Sequence, residues 1–221
     1  MKEYAVIIFT RFPSKNKVKT RLNKNLDSNL VLKIHKAMIK DTINICKNNF
    51  SDILIFITEY EKLNSNNRKN FLNEKFIFPQ ENCPFGEKMF KSFEKAFELG
   101  YKKVILIGTD IPTILKKDIE LALKSLDEFD CCINESFDKG YYLIGVKNKI
   151  KELFNEEIFK TNLVFKNTIK VLKDKNLQFT NGRVLKDIDE KEDLDYFIKN
   201  EFECSKYENL KNLLKEKYIE K

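Results

Sequence analysis

The stretch Val104-Ile105-Leu106-Ile107-Gly108-Thr109-Asp110-Ile111-Pro112 decides the fold. Val104 to Gly108 is a β-branched and aliphatic run with no polar alternation. That is the pattern of a strand covered on both faces, at the centre of a parallel or mixed sheet. The run stops at Thr109-Asp110. Pro112 cannot donate to a ladder and biases Ile111 toward extended geometry. Asp110 is therefore presented at the carboxyl end of a central strand, the edge where open α/β sheets bind ligands. A carboxylate there suits Mg²⁺ beside a phosphate; the competing reading is a cap on the next turn.

Outward from this strand, Tyr4 to Phe9 is a second apolar run. It feeds Thr10-Arg11-Phe12-Pro13-Ser14-Lys15-Asn16-Lys17-Val18-Lys19-Thr20-Arg21-Leu22. No Walker-type glycine-rich loop is present, which excludes a P-loop protein. Cations recur instead at Lys15, Lys17, Lys19 and Arg21, and in an extended loop these odd-numbered residues share one side. Four cations on one side suit a diphosphate or triphosphate; the alternative is a solvated basic loop. Seven basic residues from Lys2 to Lys24 stand against one acid, Glu3, a local +6 in a chain of net charge +7. Such a concentration implies an anionic ligand, either phosphate groups or nucleic acid.

A chain of 221 residues with 42% hydrophobic content fits one large α/β domain with a real core. No stretch approaches the roughly 18 apolar residues of a membrane span. Met1-Lys2-Glu3-Tyr4 leads straight into a strand and does not resemble a secretory signal. Five scattered cysteines without a CxxC pair favour reduced thiols and a cytoplasmic location. Cys131 and Cys132 fall in a strand and point to opposite faces as core filler. His35 is the only histidine, so mechanisms needing two imidazoles are excluded, and its place on a helix gives it no catalytic role.

A helix capped by Asp27 or Ser28 is expected to run to about Lys47, with Val31, Ile34 and Met38 inward. Further strands are expected at 53–58, 76–78, 130–133 and 184–188, and a turn at Asp138-Lys139-Gly140 leads into another that ends at Val146. Helices are expected at 116–126, 149–154, 164–175 and 190–200. Cys83-Pro84-Phe85-Gly86-Glu87-Lys88-Met89 opens one more, closed by Gly100. Residues 59–74 are a polar, Asn-rich surface segment with room for a short helix. Strand and helix alternate throughout, which argues one domain over residues 1–200 with a C-terminal helix, 201–221, docked on it.

Five stretches carry a resemblance. They are Phe9-Thr10-Arg11-Phe12-Pro13 through Val18-Lys19-Thr20-Arg21-Leu22; Phe85-Gly86-Glu87-Lys88-Met89; Gly108-Thr109-Asp110-Ile111-Pro112; Asp138-Lys139-Gly140-Tyr141-Tyr142-Leu143-Ile144-Gly145; and Asp187-Ile188-Asp189 with Glu192-Asp193-Leu194. In order, they resemble an uncharacterised family of GT-A-like transferases, often labelled glycosyltransferases. The resemblance covers about residues 4 to 198. It implies a single-domain α/β fold of the nucleotide-diphospho-sugar transferase type, a three-layer sandwich with a mainly parallel central sheet. Relatives of that superfamily include molybdenum-cofactor and phospholactate guanylyltransferases. The resemblance further implies that base and ribose sit over the first strands and that the basic loop holds phosphates. An Asp at the Asp110 position then binds Mg²⁺ or Mn²⁺, with Asp187 or Asp189 as second ligand. The chain departs from the family pattern at Asn16, Lys139, Asn134-Glu135-Ser136-Phe137 and Glu190.

Carried onto this chain, the catalytic candidates are Asp110, Asp138 and Lys19. Thr10, Arg11, Lys15, Lys17, Lys19, Arg21, Gly108 and Thr109 are candidates for nucleotide and phosphate binding, and Asp110, Asp189 and Asp187 for the metal. Asp138 positions or deprotonates an acceptor, or is only a turn residue; capping of the 190–200 helix is the alternative for Asp187 and Asp189. The expected activity is metal-dependent transfer from a nucleotide-activated donor, taken as glycosyl transfer from a nucleotide-sugar. The first loop lacks the glycines that let backbone N–H groups wrap a triphosphate. Nucleotidyl transfer from an NTP to a phosphorylated acceptor and a non-catalytic nucleotide-binding relative remain as alternatives. A nucleic-acid module needs aromatics interleaved with the cations; only Phe12 and Tyr4 are near, so nucleic acid is not an expected partner. A small-molecule acceptor is expected, and a homodimer is left open.

Overall fold

The structure, a computed structural model, describes residues 3–47, 51–63 and 74–219. Its strands are β1 (Tyr4–Thr10), β2 (Ser51–Ile57), β3 (Phe76–Pro79), β4 (Lys103–Ile107), β5 (Cys131–Glu135), β6 (Tyr141–Val146) and β7 (Phe179–Thr180). They form one 7-stranded sheet in the order β3-β2-β1-β4-β6-β5-β7. β1 lies parallel to β2 and β4, β2 to β3, and β5 to β7, while β6 runs antiparallel between β4 and β5. The sheet is mainly parallel, as expected, and the carboxyl ends of β1, β4 and β5 open on one edge.

The helices are α1 (Ser28–Cys46), α2 (Phe85–Glu98), α3 (Lys116–Ser125), α4 (Glu156–Phe159), α5 (Val164–Asp174), α6 (Lys191–Tyr196) and α7 (Glu208–Leu214). They cover both faces, which is why the strands carry apolar residues without alternation. Val6, Ile8, Ile105 and Ile107 face a core shared with Ile34 of α1, Leu123 of α3, Leu194 of α6 and Leu210 of α7. Their neighbours Ala5, Ile7, Val104 and Leu106 face the opposite core, with Phe93 of α2 and Leu172 of α5. Cys131 and Cys132 divide between the two cores in the same way. Asp27 is the cap of α1, accepting from Asn29 N and Leu30 N at 3.0 and 3.1 Å. Gly100 follows α2 with a φ of 87°, the left-handed geometry that suits glycine at a helix end.

Several elements differ from expectation. The strand at 184–188 does not form: only Leu185 bridges Ser136, and β7 lies earlier in the chain. The buried residues there, Leu185 and Ile188, are three apart and Val184 is exposed, so no period of two exists to make a strand face. The segment instead leaves the sheet, and Ile188 N donates to Asp110 O at 3.0 Å. The helix at 149–154 is a 3-10 turn, Lys151–Phe154. The helix at 190–200 starts at Lys191 and widens into a π-helix over Phe197–Glu201. Within 59–74, a 3-10 turn spans Tyr60–Lys62, and residues 64–73 lie outside the described residues. Among the described residues no helix is long and apolar enough to cross a membrane.

Candidate active site

The carboxyl edge of β1 and β4 and the start of β6 enclose a cavity of about 760 Å³. Ten of the residues singled out from the sequence line it: Thr10, Arg11, Lys17, Lys19, Arg21, Gly108, Thr109, Asp110, Asp138 and Asp189. Lys15 and Asp187 do not. A Cβ built on Gly108 would meet nothing within 4 Å, so bare backbone at the end of β4 leaves open room for a ligand.

The basic loop is not extended, which corrects the expectation that its four cations share one side. Ser14 N bonds Phe12 O at 2.8 Å and Lys17 N bonds Ser14 O at 3.1 Å, while Asn16 and Lys19 adopt φ of 62° and 46°. A coiled path scatters side chains that a strand would align. Lys19 turns inward, its side chain only 5% exposed, with Nζ 2.5 Å from Asp110 Oδ2 and 3.8 Å from Asp189 Oδ1. Arg21 Nη1 lies 3.0 Å from Asp189 Oδ2. Lys17 turns away to Glu59 at 3.0 Å. Hydrogen bonds from Lys62, Lys17 and Ser14 hold the Glu59 carboxyl down at about 2. Lys15 stays exposed, outside the cavity.

Asp110 is not the cap of the following helix. Asp118 does that work, its Oδ2 accepting from Leu115 N at 2.8 Å. The Asp110 side chain is instead bonded by Lys19 and, at 3.2 Å, by Thr109 Oγ1. Burial alone would raise this carboxyl, but the adjacent Lys19 ammonium offsets that and holds it below the usual carboxylate range. The group sits deep in the wall, yet its side chain is 40% exposed because the cavity opens onto it. Asp189 is likewise free of capping duty: Glu190 is the N-cap of α6, and Asp193 Oδ2 accepts from Asp189 N and Glu190 N at 3.1 and 2.8 Å. The Ile188–Asp110 bond brings Asp187 beside this group. Burial, then the charge of Asp138, pushes the Asp187 carboxyl up to about 6, against the pull of Lys19.

Asp138 is a turn residue that also lines the cavity. It accepts from Ser136 Oγ and, at 3.0 Å, from Gly140 N at the tip of the β5–β6 hairpin. Lys139 next to it has a φ of 68° and is exposed, outside the residues that line the cavity.

Sequence reasoning missed four contributors. His35 lines the cavity from α1; its Nε2 donates to Arg11 O at 3.1 Å, and among the described residues no donor reaches Nδ1. Burial lowers its pKa, against the raising effect of the Arg11 carbonyl. Gln80, just past β3, donates to Thr10 O and Phe56 O at 2.8 and 3.0 Å and ties the β1 and β2 edges together. Phe85 and Phe159 line the far wall. The signal available was a polar His35 beside Ile34 and Met38 on the inward face of α1, which also buries Asp41 and Thr42.

Among the described residues no three His, Cys, Asp or Glu side chains are arranged to hold a metal by themselves. Asp110 and Asp189 nonetheless bracket one cation already, the Lys19 ammonium. Two oxygen donors about one point fit a hard divalent ion whose shell is completed by phosphate oxygens and water.

Comparisons with known proteins agree with this architecture. The model of a family described as uncharacterized proteins conserved in bacteria (DUF2064) matches residues 43–159. A solved protein from Desulfovibrio desulfuricans G20, described as a candidate nucleotide-diphospho-sugar transferase, is 25% identical with a TM-score of 0.88, over 98% of this chain and 95% of that one. The inositol-1-phosphate CTP transferase of T. maritima has a TM-score of 0.56 at 13% identity, over 96% of each chain. Rv0371C of Mycobacterium tuberculosis H37Rv, solved with manganese, has a TM-score of 0.53 at 11% identity, over 90% of this chain and 99% of that one. No curated protein matches the chain.

Proposed function

The chain belongs to the DUF2064 family, and from that premise we propose that it is a metal-dependent transferase using a nucleotide-activated donor, with glycosyl transfer from a nucleotide-sugar as its reaction. One observation carries this reading: the buried Lys19 ammonium lies between Asp110 and Asp189 at the carboxyl edge of the sheet. The nucleoside lies over the ends of β1 and β2. Lys19 and Arg21 bind the diphosphate and stabilise the charge that grows on it in the transition state. Arg11 and Lys17 add positive potential at the mouth; Lys15 has no part. Thr10, Gly108 and Thr109 form the floor. Asp110 and Asp189 would hold Mg²⁺ or Mn²⁺, with Asp187 as competitor for the second position; when bound, the ion would supply positive charge against the leaving diphosphate. Manganese in the Mycobacterium tuberculosis relative is in keeping with this choice. Asp138 orients the acceptor hydroxyl or takes its proton.

Nucleotidyl transfer is the second reading, favoured by the fold shared with the T. maritima CTP transferase. A glycosyltransferase releases a nucleoside diphosphate, whereas a nucleotidyltransferase releases pyrophosphate. With Mn²⁺ and no acceptor, we expect slow release of UDP or GDP from UDP- or GDP-sugars. No nucleoside diphosphate from any donor, together with pyrophosphate from CTP or GTP and a phosphorylated acceptor, would reverse the choice.

A further inference from the structure

Opposite the charged loop, the cavity has a wall of different chemistry. Phe85 opens α2, Phe159 ends α4, Tyr141 opens β6 and Phe9 comes from β1. The Phe85 ring centroid lies 6.0 Å from Phe9 and 5.3 Å from Phe159, both edge-on, and Tyr141 lies 6.4 Å from Phe159. Phe85 is nevertheless 50% exposed, and that exposed surface lines the cavity. An aromatic ring fixed by neighbouring rings but left half open offers a surface for another ring.

This wall is poor ground for an anion. The first amides of a helix attract phosphate when they lack partners. At α2 one of these amides is taken: Gly86 N donates to Glu156 Oε2 at 3.2 Å. The contact is built in, because a Cβ on Gly86 would stand 2.2 Å from Phe154 O and 2.7 Å from the Phe159 ring. The cavity cations come from residues 11–21 and from Lys88, and Lys88 also lines a neighbouring groove beside Phe56 and Phe78, on the β2–β3 side. A phosphate against Phe85 would lose water, and the Gly86 amide that could receive it already bonds Glu156.

We propose that this wall is the acceptor subsite, and that the acceptor presents an uncharged ring bearing a hydroxyl rather than a phosphate. The word acceptor rests on the transferase reading above; recognition of an uncharged ring by Phe85 does not. The ring is aromatic, or it is a sugar whose C–H face lies on Phe85. Asp138 lines the same cavity, on the hairpin that leads into Tyr141, and its carboxylate is the group assigned to the acceptor hydroxyl. In the transfer step the acceptor oxygen bonds to sugar C1 and its proton passes to Asp138. The bond from C1 to the diphosphate breaks, and its electron pair leaves on the nucleoside diphosphate.

Saturation-transfer NMR on the full chain tests this, with benzyl alcohol, methyl β-glucoside and phenyl phosphate as probes and Mg²⁺ with UDP or GDP filling the charged half. Benzyl alcohol or methyl β-glucoside should bind more tightly than phenyl phosphate, and the one that responds identifies the kind of ring. Phe85→Ala should weaken that binding about fivefold, the scale of one lost aromatic contact, with UDP and GDP affinity unchanged. Phe85→Leu keeps apolar volume without a ring and should behave the same, which guards against a misfolded alanine variant. Preference for phenyl phosphate, or neutral binding indifferent to both variants, would overturn the proposal. So would a matching loss of UDP and GDP affinity, which assigns the wall to the nucleotide base. If UDP and GDP fail to bind the wild type while Phe85-dependent ring binding persists, the donor reading fails and the ring subsite stands.

Discussion

Lys19 neutralises Asp110 deep in the wall, and in the function we propose it also receives the donor diphosphate. We expect Lys19→Ala to weaken UDP or GDP binding while leaving nucleoside binding intact, measured by calorimetry with both ligand types. Tight, steeply salt-dependent duplex DNA binding lost in the same variant would point to nucleic acid instead. Asp187 gives a pH test. Its folded-state pKa of about 6 is raised above the ordinary aspartate value. Between those two values the native protein holds a proton that the unfolded chain has released, so stability falls as pH rises through this window and levels off above it. Asp187→Asn should remove that part of the loss, read as a flatter melting-temperature profile between about pH 4 and pH 7; an unchanged profile would refute the assignment. Asp110, Lys19 and Asp189 were legible because a strand end, a loop cation and a late acidic pair are local features. His35 and Gln80 were not, because their contacts exist only once α1 and β3 have packed.

Elements were legible where burial repeats and illegible where single contacts decide. β1 and β4 declared themselves by unbroken apolar runs, and α2 by its aromatic stripe and Gly100. The 184–188 stretch read as a strand on composition, yet its path follows three backbone bonds, Leu185 N to Glu135 O, Phe137 N to Leu185 O and Ile188 N to Asp110 O. The basic loop misled for the same reason: positive φ at Asn16 and Lys19 breaks the alternation that an extended loop would have. Lys139 is the clearest element-scale test. Its φ of 68° at the hairpin tip is costly for a side chain with a Cβ. Lys139→Gly should stabilise the fold by about 0.5–1 kcal/mol, the relief partly offset by greater freedom of the unfolded chain. Chemical denaturation would measure it, and a loss of stability would mean that the lysine makes contacts of value.

At the scale of the whole molecule, we propose residues 1–200 as the domain that carries the site, with α7 (Glu208–Leu214) of the C-terminal segment docked on it. The junction is polar and buried. Asp41 on α1, 2% exposed, accepts from Asn209 N at 3.0 Å, Asn209 Nδ2 at 2.6 Å and Leu210 N at 2.9 Å at the start of α7. Tyr207 OH meets Thr42 Oγ1 at 2.7 Å. α1 also carries His35 to the cavity, so the C-terminal helix braces one wall of the site from behind. Asp41→Ala should cost about 2–3 kcal/mol by orphaning buried donors, seen as a lower midpoint in urea; a shift near zero would mean that water replaces the carboxylate. A docked C-terminal helix was legible in the sequence, but its polar latch on Asp41 was not, since that contact exists only once α1 and α7 have packed. The central claim is that Asp110 and Asp189 hold a divalent ion shared with a donor diphosphate. Calorimetric titration of UDP and GDP into wild type and Asp110→Asn, with and without Mn²⁺, tests it most directly. We expect Mn²⁺ to tighten nucleotide binding to the wild type by about tenfold, or about 1.4 kcal/mol, and to have no effect on the variant. An equal response to Mn²⁺ in both proteins would contradict the claim.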